Sequence, residues 1–167
     1  HAIGGGLIFS VFVYSVIFII TSIFNVTNER KQIVVPAVHQ LVFSNTGNYL
    51  IFHEYQSIVN NESFSSEVVE ASDLICRIQS VNNGGQVNVF PTSYHAEYSE
   101  YDIRKGTRKA ISIFEFEIIN PGDYVLTAKY SDDYNKSKIV LGISRSISEQ
   151  LLMPLIIHAI IVDVVFI

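Results

Sequence analysis

The chain of 167 residues has no tryptophan, one methionine and one cysteine. A single cysteine excludes an intrachain disulfide, so packing and hydrogen bonds alone have to hold the fold together. Cys76 lies in the mostly apolar sequence Leu74–Ile78. That setting predicts a buried thiol that packs as a small hydrophobic side chain.

Basic residues are also scarce: 11 lysines and arginines face 16 acidic residues, for a net charge of −5. Nucleic-acid binding needs a dense basic surface, so a nucleic-acid partner is excluded. The only basic cluster is a solvated turn or a docking patch for lipid headgroups or an acidic partner. Its members are Arg104, Lys105, Arg108 and Lys109.

Charge is absent altogether from Ala2 to Phe24, a run of 23 residues. A helix of that length measures about 34 Å, enough to cross a bilayer core. The run lacks the basic start and short apolar core of a signal peptide, so residues 1–27 are predicted to contain a transmembrane helix. Its small residues are either a face for a neighbouring helix or a frayed helix start. They are Gly4, Gly5, Gly6 and Ser10.

A second apolar run, Leu151–Ile167, is shorter and contains Pro154, His158 and Asp163. Residues 147–167 are predicted to span the bilayer, with a re-entrant or interfacial segment as the alternative. His158 and Asp163 are expected to lie at the interface or to contact a neighbouring helix. A proton pathway through Asp163 is the weaker alternative.

The segment between these runs, residues 28–146, is predicted to be one β-domain with an internal repeat at 39–55 and 114–130. In both copies an asparagine, a glycine and two tyrosines stand at matching positions, 75 residues apart. Each copy is interpreted as a hairpin. Alternation places one set of side chains on a common buried face: Phe114, Phe116, Ile118, Tyr124, Leu126, Ala128 and Tyr130.

A third hairpin is predicted between the copies, from Leu74–Val81 and Gln86–Phe90, with Asn83-Gly84 as its turn. In that register Ile78 faces Val89. With further strands near Ile33, at 94–100 and at 138–143, seven or eight short strands predict a mainly β fold. The fold class is an antiparallel β-sandwich flanked by N- and C-terminal transmembrane helices. Residues 114–128 resemble a strand-turn-strand of jelly-roll and immunoglobulin-like modules, which implies a sandwich and no particular function.

Two candidate sites follow from this arrangement. If Phe43 pairs with Tyr49 in the first hairpin, His39 falls opposite His53 and the two imidazoles could bind copper or zinc, given a third ligand. The alternative is that both histidines lie at the sandwich rim. The second candidate is the aromatic and acidic segment around His95, interpreted as a protein-contact surface, a sugar platform or an ordinary edge strand. Its tyrosines are Tyr94, Tyr98 and Tyr101.

Neither a phosphate-binding loop nor a nucleophile elbow is present, so the chain is predicted to be no enzyme and to need no cofactor. The expected function is a non-catalytic accessory subunit of a larger membrane complex. Its partners would be other membrane protein subunits and the lipid bilayer. The β-domain is expected on the extracytoplasmic side, by analogy with other tethered sandwiches. The alternative is a membrane-anchored domain that senses a ligand or metal.

Overall fold

A computed structural model describes Tyr14 and residues 30–93, 95–102, 106–132 and 137–146. Residues 31–144 form one compact unit, and residues 1–30 with 145–167 form another. Within the described ranges the first unit contains eleven strands and one 3₁₀ turn (Ala71–Asp73). The strands are β1 (Lys31–Val35), β2 (Ala37–Phe43), β3 (Gly47–Val59), β4 (Glu62–Ser65), β5 (Leu74–Ser80), β6 (Gln86–Val87), β7 (Val89–Pro91), β8 (Glu97–Asp102), β9 (Gly106–Ile118), β10 (Gly122–Tyr130) and β11 (Ile139–Arg145).

Of the second unit, the structure describes few residues, among them the helical and exposed Tyr14. No helix among the residues described is both long enough and apolar enough to cross a membrane. Apart from Tyr14, the predicted spans Ala2–Phe24 and Leu151–Ile167 lie outside the described residues.

The strands form two antiparallel sheets, which confirms the predicted mainly β, sandwich-like fold. The larger sheet has the order β1-β11-β3-β9-β7, with β4 added beside β3 and β8 beside β9. The smaller sheet has the order β2-β10-β5-β6. All seven side chains predicted for the common face of the second repeat are buried, because alternation along a strand turns every second side chain towards the opposite sheet.

The repeats are real, but the hairpin interpretation is wrong. β2 pairs with β10, placing Phe43 opposite Gly122, and β3 pairs with β9, placing Gly47 opposite Ile118. Each repeat therefore crosses from one sheet to the other instead of folding back within a sheet. Phe43 and Tyr49 still meet, with ring centroids 4.8 Å apart. They do so across the core between the sheets and not as a cross-strand pair.

The matching residues of the two repeats form matching corners. Gly47 and Gly122 both have positive φ angles, 122° and 152°, a region that glycine enters without a Cβ clash. The Tyr49 hydroxyl donates to the Asn45 carbonyl at 2.9 Å, and the Tyr124 hydroxyl donates to the Asn120 carbonyl at 2.7 Å. Each corner is thus a tyrosine corner, in which the ring packs in the core and its hydroxyl fixes the turn.

Removing either tyrosine hydroxyl is expected to destabilise the fold by similar amounts. Tyr49→Phe and Tyr124→Phe keep the buried ring but delete the corner hydrogen bond, so each should lower the free energy of unfolding by about 1 kcal/mol. Denaturant midpoints followed by near-ultraviolet circular dichroism of the tyrosines measure this loss. Tyr55→Phe on β3 is the matched control and should change the midpoint little. Unequal effects at the two corners would contradict their structural equivalence.

The third hairpin exists in a different register. Ile78 faces Val87 instead of Val89, because the loop is longer than the two-residue turn: the Ser80 amide donates to the Gly85 carbonyl at 2.8 Å. Val87 and Val89 are two residues apart and so belong to the same face of an extended strand. The change of partner therefore agrees with the predicted face, and Ile78 is fully buried. The predicted strand Gln86–Phe90 is split, with β6 in the smaller sheet and β7 in the larger one.

Candidate functional site

A buried carboxylate cluster lies on the face of the larger sheet opposite to the core. The Glu54 side chain is fully buried, and each of its oxygens accepts two hydrogen bonds. Oε1 receives the Arg108 guanidinium at 2.6 Å and the Tyr98 hydroxyl at 2.9 Å. Oε2 receives the Gln32 amide at 2.6 Å and the Ser57 hydroxyl at 2.5 Å. We call these five residues the Glu54 cluster.

Local backbone irregularities assemble the cluster. On β3, Glu54 and Tyr55 oppose the single residue Ala110 of β9, which is a β-bulge. The bulge interrupts the alternation, so that Ser57, three residues further along, lies on the same face as Glu54. Gln32 reaches from β1 across β11 because Gly142 stands between them. A Cβ at position 142 would lie 2.6 Å from Oε1 of Glu54. Only glycine leaves that space open.

The electrostatics of the cluster favour the ionised carboxylate. Burial alone would raise the pKa of Glu54, but the hydrogen bonds from Arg108, Ser57 and Gln32 and the positive charge of Arg108 together lower it below its usual value. Burial alone would lower the pKa of Arg108. The hydrogen bond to Glu54 and the negative charge of Glu54 have the larger effect, so the pKa of Arg108 is raised. Because four donors occupy both oxygens, the carboxylate is arranged to join β1, β3, β8 and β9 and not to exchange protons with a substrate.

His53 lies next to Glu54 in sequence but on the core face of β3. Its Nδ1 accepts a hydrogen bond from the Val69 amide at 3.0 Å, so Nε2 carries the proton and donates to the Ser66 hydroxyl at 3.0 Å. Burial lowers the pKa of His53 to about 4, although the nearby Glu54 charge raises it in part. The imidazole is therefore neutral at pH 7 and holds the loop 66–70 against the core.

That loop forms one wall of an apolar cleft of about 550 Å³, which we call the distal cleft. Ile111 and Ile113 of β9 also line it, as do Pro91 and Thr92. A second bulge leaves Ile113 without a partner on β3, so Ile113 and its neighbour Phe114 are both buried. Polar groups lie on its lining at Glu70, Ser72 and His95.

Comparison with protein-family models, curated proteins and solved structures gives no match to this chain.

The structure does not bring the two proposed metal ligands together. His39 is exposed on β2 and stands opposite Leu126, while His53 is buried on β3 and stands opposite Ile111, in the other sheet. The facing pair required the hairpin that the structure replaces with a crossing between sheets. Over the described part of the chain, no three His, Cys, Asp or Glu side chains are grouped to hold a metal ion.

The predicted contact tyrosines have different positions. Tyr98 is half-buried, donates to Glu54 and packs edge-on against Phe52 with centroids 5.3 Å apart. It therefore belongs to the Glu54 cluster and not to a free aromatic surface. Tyr101 lies on β8 at the level of the backbone, and its side chain is outside the described residues. The other predicted interaction residues also lie outside them: Tyr94, Gly4, Gly5, Gly6, Ser10, His158 and Asp163.

Arg108 does not lie where its sequence predicts. The sequence groups it with a basic cluster at a turn, but its side chain is largely buried against Glu54. Cys76 agrees better with expectation: it is half-buried against the core, and burial raises the pKa of its thiol to about 12. No sequence motif predicts the distal cleft, because its lining residues come from three separate segments, 68–72, 91–95 and 111–113.

Proposed function

We propose that the chain is a membrane-anchored, non-catalytic accessory subunit of a larger membrane complex. Its β-domain lies on the extracytoplasmic side and docks a partner subunit through the distal cleft. The uncharged run Ala2–Phe24 and the apolar run Leu151–Ile167 support flanking transmembrane helices as anchors. The sandwich between them supplies a docking surface.

The observation that carries the proposal is the incomplete edge of the smaller sheet. Within the described ranges, β5 pairs with β6 only at Ile78 and Gln79. Leu74–Arg77 therefore have no strand beside them on that side, and their edge begins directly after the cleft residues Ala71 and Ser72. An open edge beside an apolar hollow is the arrangement to which an extended partner segment adds, with backbone hydrogen bonds along the edge and side chains in the hollow.

Exposure at the cleft wall also supports a partner. Val68 is 55% exposed and lines the cleft together with Ile111 and Ile113. These apolar side chains offer water no hydrogen-bond partners. Covering such a surface with an apolar partner segment removes it from water at about 25 cal/mol per Å². The neighbouring Glu67 and Glu70 provide a polar rim, which is typical of a protein interface.

Val68→Asp is expected to weaken partner binding by about tenfold or more, because it places a charge where the partner buries apolar surface. The full chain is purified in mild detergent, and a photo-crosslinking amino acid at position 68 identifies the bound subunit. The amount of that subunit recovered with the Val68→Asp chain is then compared with wild type.

Val38→Asp is the matched control, since Val38 is a valine of β2 that is 72% exposed and does not line the cleft. It should leave the partner bound. A chain that purifies as a free monomer, or crosslinks that form equally from positions 38 and 68, would contradict the proposal.

A sensor of a small apolar ligand is the second candidate, favoured by the volume of the distal cleft. About 550 Å³ falls within the range typical of ligand pockets. The two functions differ in what fills the cleft. A monomer that retains one small molecule per chain after purification would favour the sensor, and loss of that molecule in Val68→Asp would place it in the cleft.

A further inference from the structure

The chain enters and leaves the sandwich at the same end of its strands. Lys31 at the start of β1 pairs with Ile143 near the end of β11. The Lys31 ammonium donates to the Val42 carbonyl and lies 5.8 Å from the ring centroid of Phe43, at the first corner. The entry and exit of the chain are therefore next to the corners.

Three loops meet at this end, which we call the tip: residues 44–46, 81–85 and 119–121. The two corner loops are neighbours because Phe43 pairs with Gly122. The loop 81–85 joins them, since Ser80 pairs with Tyr124 and the Val81 amide donates to the Asp123 carbonyl at 2.9 Å.

The tip differs from an ordinary solvated loop cluster in its composition. None of the residues in the three loops is charged. Ile119 is 73% exposed and Val81 is 51% exposed, so two large apolar side chains project from different loops of the same end. Asparagines make up much of the remainder, and their amides hydrogen-bond without carrying charge.

The opposite end of the sandwich has the reverse character. Leu74 pairs with Tyr130 there, far along the strands from both corners. Its described loops contain four acidic residues and one basic residue: Glu67, Glu70, Asp73, Asp132 and Lys138. Three uncharged loops with exposed apolar side chains, bordered by the basic Lys31, and a mainly acidic group of loops are thus separated by the length of the strands.

We propose that the tip rests on the phospholipid surface, with Ile119 and Val81 at the boundary between headgroups and acyl chains. This inference rests on the proposed membrane anchoring. Residues 25–30 separate the run ending at Phe24 from β1, and six extended residues reach only about 20 Å. The chain leaves the sandwich at the tip, so the tip is the end that such a link holds near the bilayer.

The physical chemistry of the bilayer boundary matches the tip and not the acidic end. Apolar side chains gain there from contact with acyl chains, and neutral amides remain hydrated among the headgroups. Carboxylates would be repelled by anionic lipids and disfavoured near hydrocarbon. Contact at the tip also turns the distal cleft away from the lipid, towards a partner subunit.

Depth-dependent fluorescence quenching tests the proposal. The full chain, with Cys76→Ser, is reconstituted into phosphatidylcholine vesicles with a nitroxide near the headgroup end of the acyl chain. Single Ile119→Cys and Val81→Cys variants carry a fluorescent label. Val38→Cys is the matched control, because Val38 is 72% exposed, does not line the cleft and pairs with Thr127, away from the tip. The tip labels should be quenched roughly threefold more strongly by the nitroxide lipid than the control. Aqueous iodide should show the opposite order.

Two results would overturn the inference while leaving membrane anchoring intact. Tip labels as accessible to iodide as the label at position 38 would mean that water covers the tip. Tip labels shielded from both quenchers would mean that protein, such as a second copy of the chain, covers it. Resistance to alkaline carbonate extraction, measured on the same vesicles, reports anchoring separately. A chain that washes off would remove the anchoring proposal together with this one.

Discussion

Replacing Arg108 with alanine is expected to lower the free energy of unfolding by about 3 to 5 kcal/mol. The change leaves the Glu54 carboxylate buried without the opposite charge that now lies 2.6 Å from Oε1. Burial is the largest influence on that carboxyl group, and without Arg108 it would raise the pKa of Glu54. The loss is therefore the energy of leaving one charge buried without its partner.

Urea unfolding of the full chain in detergent measures this loss, with near-ultraviolet circular dichroism of the tyrosines as the signal. Arg77→Ala is the matched control, because Arg77 is an exposed arginine of β5 and should change stability by about 0.5 kcal/mol or less. The double variant Glu54→Gln with Arg108→Met should recover much of the stability. A loss below about 1 kcal/mol for Arg108→Ala would show that the pair contributes little.

The repeat predicts much of the core. Alternation around Tyr124 assigns the buried face of the second copy correctly, because side-chain direction along a strand is a local property. In the first copy the same alternation is wrong for His39, which is exposed near the beginning of β2. Strand pairing is not local. A strand, a turn containing glycine and a second strand are compatible with a hairpin and equally with a crossing between sheets. The sequence pattern therefore does not identify β10 as the strand that pairs with β2.

The Glu54 cluster shows where the repeat misleads. In the second copy the residue equivalent to Glu54 is Lys129, which is exposed, so the repeat predicts a solvated carboxylate. A bulge in β3 and the open space at Gly142 create the cavity instead. Its donors come from residues 32 to 108, and no short motif contains them.

The pH dependence of stability has its largest expected contribution from His53. The folded protein lowers the pKa of His53 from 6.5 to about 4, so between these values the unfolded chain binds a proton that the folded chain does not. Stability from this group is complete above pH 6.5 and is lost as the pH falls towards 4. The difference between the two pKa values corresponds to a loss of about 3 kcal/mol in the free energy of unfolding once His53 is protonated in both states. The lowered pKa of Glu54 acts in the same direction at lower pH.

Urea midpoints measured from pH 7 to pH 4 should therefore fall, and His53→Gln should flatten that fall between pH 6.5 and 5. Glutamine can accept from the Val69 amide and donate to Ser66, but it does not titrate. His39→Gln, at an exposed histidine, is the matched control and should leave the profile unchanged. A fall of equal size in His53→Gln would assign the effect to the carboxylates alone.

A local readout separates protonation of His53 from general acid unfolding. Nδ1 accepts the Val69 N–H, and a proton on Nδ1 removes that acceptor. The protection factor of the Val69 amide should then drop by about tenfold at pH values where amides of the paired strands β3 and β9 remain protected. Because Val69 lines the distal cleft, the same protonation should loosen one wall of the docking surface. Partner release as the pH falls from 5 towards 4, absent in His53→Gln, would connect the buried imidazole to binding.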